Sequence, residues 1–253
     1  MIKLIISGCN GHMGRVVAEI CAADPQVSVV AGFDILGSSD RDFPVFTAPD
    51  QFTGEADAVI DFSHPAALTP LLNFCKNHGV AAVLATTGYS AEQLAEIDET
   101  AKSVPIFRSA NMSLGINVVV ELIKKAAAIL DGYDIEIVER HHNRKVDAPS
   151  GTALMLADAA ASALPYEPDY VYERNSVRRP RDKKEIGISA VRGGTIVGDH
   201  EVIFAGRDEV IELHHHAASR EIFANGTVKA AKFLFCKAPG LYSMADLVSE
   251  QVD

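Results

Sequence analysis

The chain predicts an α/β protein: a doubly wound parallel sheet, interrupted by a second and more antiparallel unit, then completed. Three observations predict it. Short apolar runs alternate with amphipathic stretches over residues 2–108, the rhythm of βαβ units. Beyond them come β-rich runs joined by polar connections, which signal a change of architecture. Residues 222–235, rich in alanine, then regain helical spacing, as a helix returning to the first unit would.

Each element follows from its own residues. Ile2–Ser7 is an apolar run ending at Gly8, as expected of a strand buried on both faces. Met13, Val16, Val17, Ile20 and Cys21 fall at helical spacing within 11–23, and Asp24-Pro25 stops that helix. Val27–Phe33 is the next strand and ends at Asp34, closing a βαβ unit. The alternation continues with strand Ala58–Asp61, helix 65–77, strand 81–85, helix 91–103 and strand Pro105–Arg108. A helix over 114–130 leads to strand Asp134–His141, and a further helix starts near Ser150. Three β runs follow, at 186–191, 200–205 and 210–216, and read as hairpin-like strands. The polar segment 174–184 carries six of the 23 basic residues and reads as a solvated loop rather than a ligand-capturing flap.

Length and composition exclude several function classes. At 253 residues the chain holds about 1.7 typical domains, so one large domain or two modest ones. A net charge of −11 disfavours phosphate backbones and anionic membranes, so neither a nucleic acid nor a membrane is an expected partner. No apolar run approaches the ~20 residues a spanning helix needs, and the opening residues predict no signal peptide. Cys9, Cys21, Cys75 and Cys236 form no CxxC pair, as expected of reduced thiols in a cytoplasm.

The first candidate site is Gly8-Cys9-Asn10-Gly11-His12-Met13-Gly14, between a strand and a helix. A dinucleotide pyrophosphate needs a tight turn, close backbone and a helix N-terminus, and glycines at 8, 11 and 14 meet those needs. The spacing departs from G-x-G-x-x-G, but Asp34, 20 residues beyond Gly14, stands where a carboxylate would accept hydrogen bonds from the adenosine ribose. That carboxylate repels a 2′-phosphate and Ile35 offers no cation, so NADH is expected to be preferred over NADPH. Ala85-Thr86-Thr87-Gly88 and Ser109-Ala110-Asn111-Met112-Ser113 lie at later strand ends, where small and hydroxylated residues let the backbone reach a nicotinamide amide.

The second candidate site is 139–152, with two histidines, an arginine and a lysine within five positions. Adjacent histidines on a strand face opposite ways and no third ligand lies at a matching spacing, so no metal is expected. His214 and His216 share a face but lack an evident carboxylate partner, which favours packing or subunit contact there. Anion binding beside acid–base groups fits better. Ser150 caps the following helix, and the amides of Gly151 and Thr152 suit a carboxylate. Lys145 supplies a mobile charge and a proton, while His141 and His142 bind or move protons near neutral pH.

His141-His142-x-x-Lys145-x-Asp147-Ala148-Pro149-Ser150-Gly151-Thr152 resembles the signature of the bacterial dihydrodipicolinate reductase (4-hydroxy-tetrahydrodipicolinate reductase) family. The resemblance spans nearly the whole chain. It takes in Gly8-x-x-Gly11-x-Met13-Gly14, Asp61-Phe62-Ser63-x-Pro65, Thr86-Thr87-Gly88 and Ala110-Asn111-Met112-Ser113-x-Gly115-x-Asn117. It continues through Arg192-Gly193-Gly194-x-Ile196-Val197-Gly198-x-His200, Glu212-x-x-His215, Ser219-Arg220 and Pro239-Gly240-Leu241-Tyr242.

The resemblance implies NAD(P)H-dependent reduction of a cyclic dicarboxylate in diaminopimelate and lysine synthesis. It implies a Rossmann-type dinucleotide-binding domain over 1–112, completed by 221–253. An inserted α+β domain over 113–220 would bind substrate and build a homotetramer through its sheet. Cofactor contacts fall on Gly8, Cys9, Asn10, Gly11, His12, Met13, Asp34, Ala85, Thr86, Thr87, Ser109, Ala110, Asn111 and Met112. The proton donor/acceptor falls on His141, a proton donor on Lys145, and substrate contacts on His142, Gly151 and Thr152. The chain departs from the family at Ala85, often glycine, at Ile35, often arginine, and in 174–184, which lacks expected glycines. The rivals are another two-domain dehydrogenase, for an amino-acid semialdehyde or a sugar, and a nicotinamide-sensing regulator without turnover. The first does not call for the His-His…Lys…Ser-Gly-Thr run; the second should lack a proton-donor cluster and carry a basic partner-binding element.

Overall fold

The structure is a computed structural model that describes residues 1–37 and 41–251. In chain order its elements are β1 (Ile2–Ser7), α1 (His12–Ala22), β2 (Val27–Phe33), β3 (Val45–Phe46), β4 (Ala58–Asp61), α2 (Leu68–His78), β5 (Ala81–Leu84), α3 (Ala91–Ala101) and β6 (Pro105–Arg108). Then come α4 (Leu114–Ile129), β7 (Asp134–His141), α5 (Gly151–Ala161), β8 (Asp169–Val171), β9 (Glu185–Arg192), β10 (Gly198–Ala205) and β11 (Val210–Ala217). The last are α6 (Glu221–Leu234), β12 (Gly240–Tyr242) and α7 (Met244–Glu250). The chain divides into two compact units, Met1–Leu114 with Glu221–Asp253, and Gly115–Arg220; residues 252 and 253 lie outside the described residues.

The first unit carries a seven-stranded sheet in the order β12-β6-β5-β4-β1-β2-β3, parallel throughout. Strand alternation divides its core. Leu4 and Ile6 of β1 face a cluster with Val17 and Cys21 of α1 and Ala224, Val228 and Ala231 of α6. Ile5, one residue on, faces the opposite cluster with Leu71, Leu72 and Cys75 of α2 and Ile97 of α3. The strand order reverses direction at β1, between β4 and β2, and a ligand crevice in such sheets opens at the carboxyl ends of the strands beside the reversal. Those ends are Ser7 and Asp61, where the glycine loop begins.

Three features of this unit lie outside the sequence-based expectation: β3 and β12, of two and three residues, and α7. Strands that short carry no periodicity of their own. They are held by pairing with β2 and β6.

The second unit is a five-stranded sheet, β11-β10-β7-β9-β8. It is mixed, and so more antiparallel than the first sheet, as expected. β10 pairs antiparallel with β7 and β11, but β9 runs parallel to β7 on its other side and β8 parallel to β9. The expected hairpin between β9 and β10 therefore does not form, because β7 lies between them. Ile135 and Ile137 of β7, Ile186 and Ile188 of β9, Val202 and Phe204 of β10, and Leu156 and Ala160 of α5 form its core.

The basic run at 174–184 is exposed but tethered. Arg174 pairs with Glu136 at 2.7 Å and Glu185 at 2.5 Å, Arg179 with Glu185 at 3.1 Å, and Arg181 with Asp134 and Glu136. Glu185 is held below the ordinary carboxylate range, first by its hydrogen bond to Arg174. Half of the run's cations are thus matched to carboxylates at the start of β7 and β9. No described helix is long and apolar enough to cross a membrane.

Candidate active site

β7 builds the centre of the site by simple alternation. Ile135, Ile137, Glu139 and His141 share its buried face, so a carboxylate and an imidazole continue a row of isoleucines. Glu139 is fully buried, and four hydrogen bonds converge on it. Arg192, at the end of β9, donates from Nη1 to Oε2 and from Nη2 to Oε1, each at 2.7 Å, a bidentate fork. Nδ1 of His141 donates to Oε2 at 2.5 Å, and the backbone amide of Ser150 to Oε1 at 2.9 Å. Burial works against the charge of Glu139, yet Arg192, His141 and Ser150 together hold it below the ordinary carboxylate range.

Ser150 joins this centre to α5. Its amide is on Glu139, its Oγ accepts from the amide of Ala153 at 3.1 Å as an N-cap, and the same Oγ lies 3.0 Å from Nε2 of His200 on β10. Gly151 opens the helix on the exposed side, where a Cβ would meet nothing within 4 Å. Thr152 follows it at the next position of the first turn.

His142 and Lys145 sit in the turn after β7. Nε2 of His142 is 3.4 Å from Nη2 of Arg220. Burial, and then the charges of Arg220, Arg144, His141 and Lys145, push His142 below its ordinary value, so an arriving carboxylate would favour its protonated form. Lys145 donates its amide to the carbonyl of His142 at 3.1 Å and pairs its Nζ with Asp147 at 2.9 Å. The structure thus brings His141, His142, Lys145, Gly151 and Thr152 into one neighbourhood of the second unit.

His200 makes a pH prediction. Burial, with His141 and His215 adding to it and Glu139 opposing, pushes it from 6.5 down to about 4, and its Nδ1 has no partner among the described residues. The unfolded chain binds a proton there that the folded chain refuses, so stability is complete above about pH 6.5 and falls toward pH 4, by about 3 kcal/mol. Urea unfolding at pH 7 and pH 4.5 should show a smaller fall in His200→Gln than in the parent. Equal falls would contradict it.

The glycine loop occupies the crevice of the first unit. Gly8 has φ +76°, and a Cβ on Gly14 would stand 2.2 Å from the carbonyl oxygen of Gly8, so only glycine fits there. No side chain caps α1 at Gly11, and His12 and Met13 begin the helix. Asp34 Oδ2 accepts from the amide of Asn10 at 3.0 Å and Oδ1 from Leu36 at 3.1 Å, which leaves half of the carboxylate's acceptor sites. Cys9 is fully buried, its thiol pushed up to about 11 by burial and by Asp34, so the thiol is not presented to a ligand. The residues present therefore fit a dinucleotide: a glycine-shaped cradle, an uncapped helix start and a carboxylate at the next strand.

At the other strand ends, Thr86 donates from Oγ1 to Asp61 at 2.7 Å while Thr87 is exposed. Ala85 donates its amide to the carbonyl of Asp61 at 3.0 Å. Asn111 Oδ1 accepts from the amide of Ser113 at 2.8 Å, Met112 is buried, and Ser109 and Ala110 lead into that turn.

Several residues carry more of the site than their sequence suggested. Asp61, 1% exposed, organises Ser63, Thr86 and Tyr89 around one carboxylate. Arg41 donates to the carbonyl of Cys9 at 2.5 Å, a cation at the glycine loop that Ile35 gave no reason to expect. His216 does find a carboxylate, Asp199, across the β10–β11 pair. Among the described residues no three His, Cys, Asp or Glu converge as a metal cage. Glu139 was findable from the strand alternation; Arg192 as its partner was not.

Comparison with known proteins covers the same ground. Residues 2–112 match the family model described as dihydrodipicolinate reductase, N-terminus, and residues 115–248 match that described as dihydrodipicolinate reductase, C-terminus. A 4-hydroxy-tetrahydrodipicolinate reductase of Caldanaerobacter subterraneus is 54% identical over 250 residues, covering 99% of both chains. One of Clostridium tetani is 48% identical over 96% of both. Among solved structures, a dipicolinate-bound dihydrodipicolinate reductase from Paenisporosarcina sp. TG-14 superimposes with a TM-score of 0.82 at 23% identity, over 98% of this chain and 99% of that one, a likeness of fold.

Proposed function

The chain belongs to the dihydrodipicolinate reductase family, and we propose from that premise that residues 139–152 are where its substrate is held and protonated. The enzyme is an NAD(P)H-dependent oxidoreductase, a 4-hydroxy-tetrahydrodipicolinate reductase of diaminopimelate and lysine synthesis. Substrate, NAD(P)H and a proton give tetrahydrodipicolinate, NAD(P)⁺ and water. The observation that carries the assignment of the site is the convergence of His141 and the start of α5 on one buried carboxylate, Glu139.

When bound, the reduced nicotinamide would supply a hydride for C4 of the ring once the 4-hydroxyl is lost. The chain's own residues do the rest. The amides of Gly151 and Thr152 and the imidazole of His142 hold a ring carboxylate and fix the acceptor carbon. Hydride addition leaves an enamine-like anion, and Lys145 protonates it, with His141 as proton donor/acceptor beside it. The glycine loop from Gly8 to Met13 and the carboxylate of Asp34 hold the pyrophosphate and ribose, and 85–87 with 109–112 hold the nicotinamide amide. The exposed Val210 and Ile211 on the edge strand β11 support self-association through that sheet, as a homotetramer. Four free cysteines, three of them buried, suit the cytoplasm.

One coupled assay tests the activity and the cofactor preference together. The substrate is generated from pyruvate and aspartate semialdehyde by the upstream synthase, and oxidation of NADH and NADPH is followed separately. A higher kcat/KM with NADH is expected, because Asp34 repels a 2′-phosphate. Comparable values would overturn the preference and point to Arg41 as the compensating cation; no oxidation with either would overturn the function.

A further inference from the structure

A buried ion pair is not in itself a stabilising choice, since well-packed apolar residues often serve the fold as well. Glu139 and Arg192 therefore call for another reason, and the partners of Glu139 supply one. A single carboxylate holds Nδ1 of His141 at 2.5 Å and the amide of Ser150, the cap of α5, at 2.9 Å. It thus ties the imidazole to the helix start that carries Gly151 and Thr152.

The geometry points to Glu139 as a positioning residue for the reduction: by accepting the Nδ1 proton of His141 in a hydrogen bond, it presents Nε2 as the nitrogen that exchanges protons. The inference rests on the reading of His141 as proton donor/acceptor. Gly198, at the start of β10, keeps the Nε2 edge uncovered, since a Cβ there would stand only 3.0 Å from it. Arg192 keeps Glu139 ionised and oriented through its two parallel hydrogen bonds, and Nη2 also donates to the carbonyl of Asp147 at 2.6 Å, anchoring the turn that bears Lys145. The arrangement follows the general logic by which a buried carboxylate selects a histidine tautomer and stabilises the imidazolium.

The charged and titratable groups facing His141 are few. Glu139 comes from its own strand, Arg192 from β9, His200 from β10 with ring centroids 5.1 Å apart, and His142 from the next position. Glu139 is the anion in contact with the ring, through Nδ1.

The test uses E139Q, E139D, H141Q and the double variant E139Q/H141Q in the full-length enzyme. E139Q should lower kcat by about 10- to 100-fold and leave NADH binding by fluorescence titration unchanged. E139D, which keeps the charge, should recover part of kcat. In the H141Q background the further loss from E139Q should vanish, because the residue acts through His141. In the parent enzyme, ring ¹⁵N shifts should show neutral His141 as the Nδ1–H tautomer, a measurement independent of how well any variant folds. Normal turnover of H141Q would remove the reading of His141 itself. An impaired H141Q beside an unimpaired E139Q, additive losses in the double variant, or an Nε2–H tautomer would each overturn the role of Glu139 alone.

Discussion

Lys145→Ala is expected to lower kcat by about 10²- to 10⁴-fold while NADH binds as before, the range that loss of a positioned general acid produces. In the proposed mechanism the hydride step leaves an anion on the ring that has to be quenched, and Lys145 is the residue proposed to supply the proton. Its side chain is 21% exposed, in the turn after β7, with Nζ held by Asp147 at 2.9 Å. Lys145 holds Asp147 below the ordinary carboxylate range through that hydrogen bond. None of the three core clusters includes Lys145, so truncating its side chain should leave the melting temperature within a few degrees of the parent. Steady-state kinetics, NADH fluorescence titration and a melting curve together separate the outcomes. A near-normal kcat would overturn the role of Lys145; a large fall in melting temperature would show that the loss is one of structure.

Gly226→Ala should destabilise the first unit by at least about 2 kcal/mol, against a gain of about 1 kcal/mol from the better helix propensity of alanine. The steric effect wins because of what the methyl group would meet. A Cβ on Gly226 would stand 1.7 Å from the carbonyl oxygen of Met112 and 2.8 Å from its carbon, both backbone atoms. Neither can rotate away without moving the 109–112 turn. The neighbours Ala224, Thr227 and Val228 are buried, so α6 cannot withdraw freely. The melting temperature should fall by about 4–8 °C, and NADH affinity should weaken with it, since the displaced turn is one proposed to hold the nicotinamide. A variant melting with the parent would show that the helix absorbs the methyl group.

The sequence-based reading succeeded where local chemistry repeats and failed where a partner elsewhere decides. Ala58–Asp61, Pro105–Arg108 and Asp134–His141 were legible end to end, because an apolar or alternating run bounded by turn residues has few other readings. The glycine loop was legible for a different reason: strand, glycines and helix occur in one stretch. β3, β8 and β12 are strands of two or three residues that exist because β2, β9 and β6 offer them a hydrogen-bonding edge. The expected hairpin after β9 failed for the same reason, since pairing is settled by what lies between the strands. For 174–184, exposure was legible, but its tethering to Glu136 and Glu185 was not, because those carboxylates sit on other strands.

By itself the sequence determined the fold class, the interruption of the first unit by the second, and the stretch that holds His141, His142, Lys145, Gly151 and Thr152. These rest on periodicity and on residues close in the chain, whose geometry the backbone alone constrains. Only the tertiary structure decided which groups surround that stretch, the proposed substrate site. Arg192 meets Glu139 from 53 positions away, and His200 meets Ser150 from 50. A buried carboxylate can persist only if distant groups neutralise it and donate to it. Which groups those are follows from sheet order, which places β7 between β9 and β10.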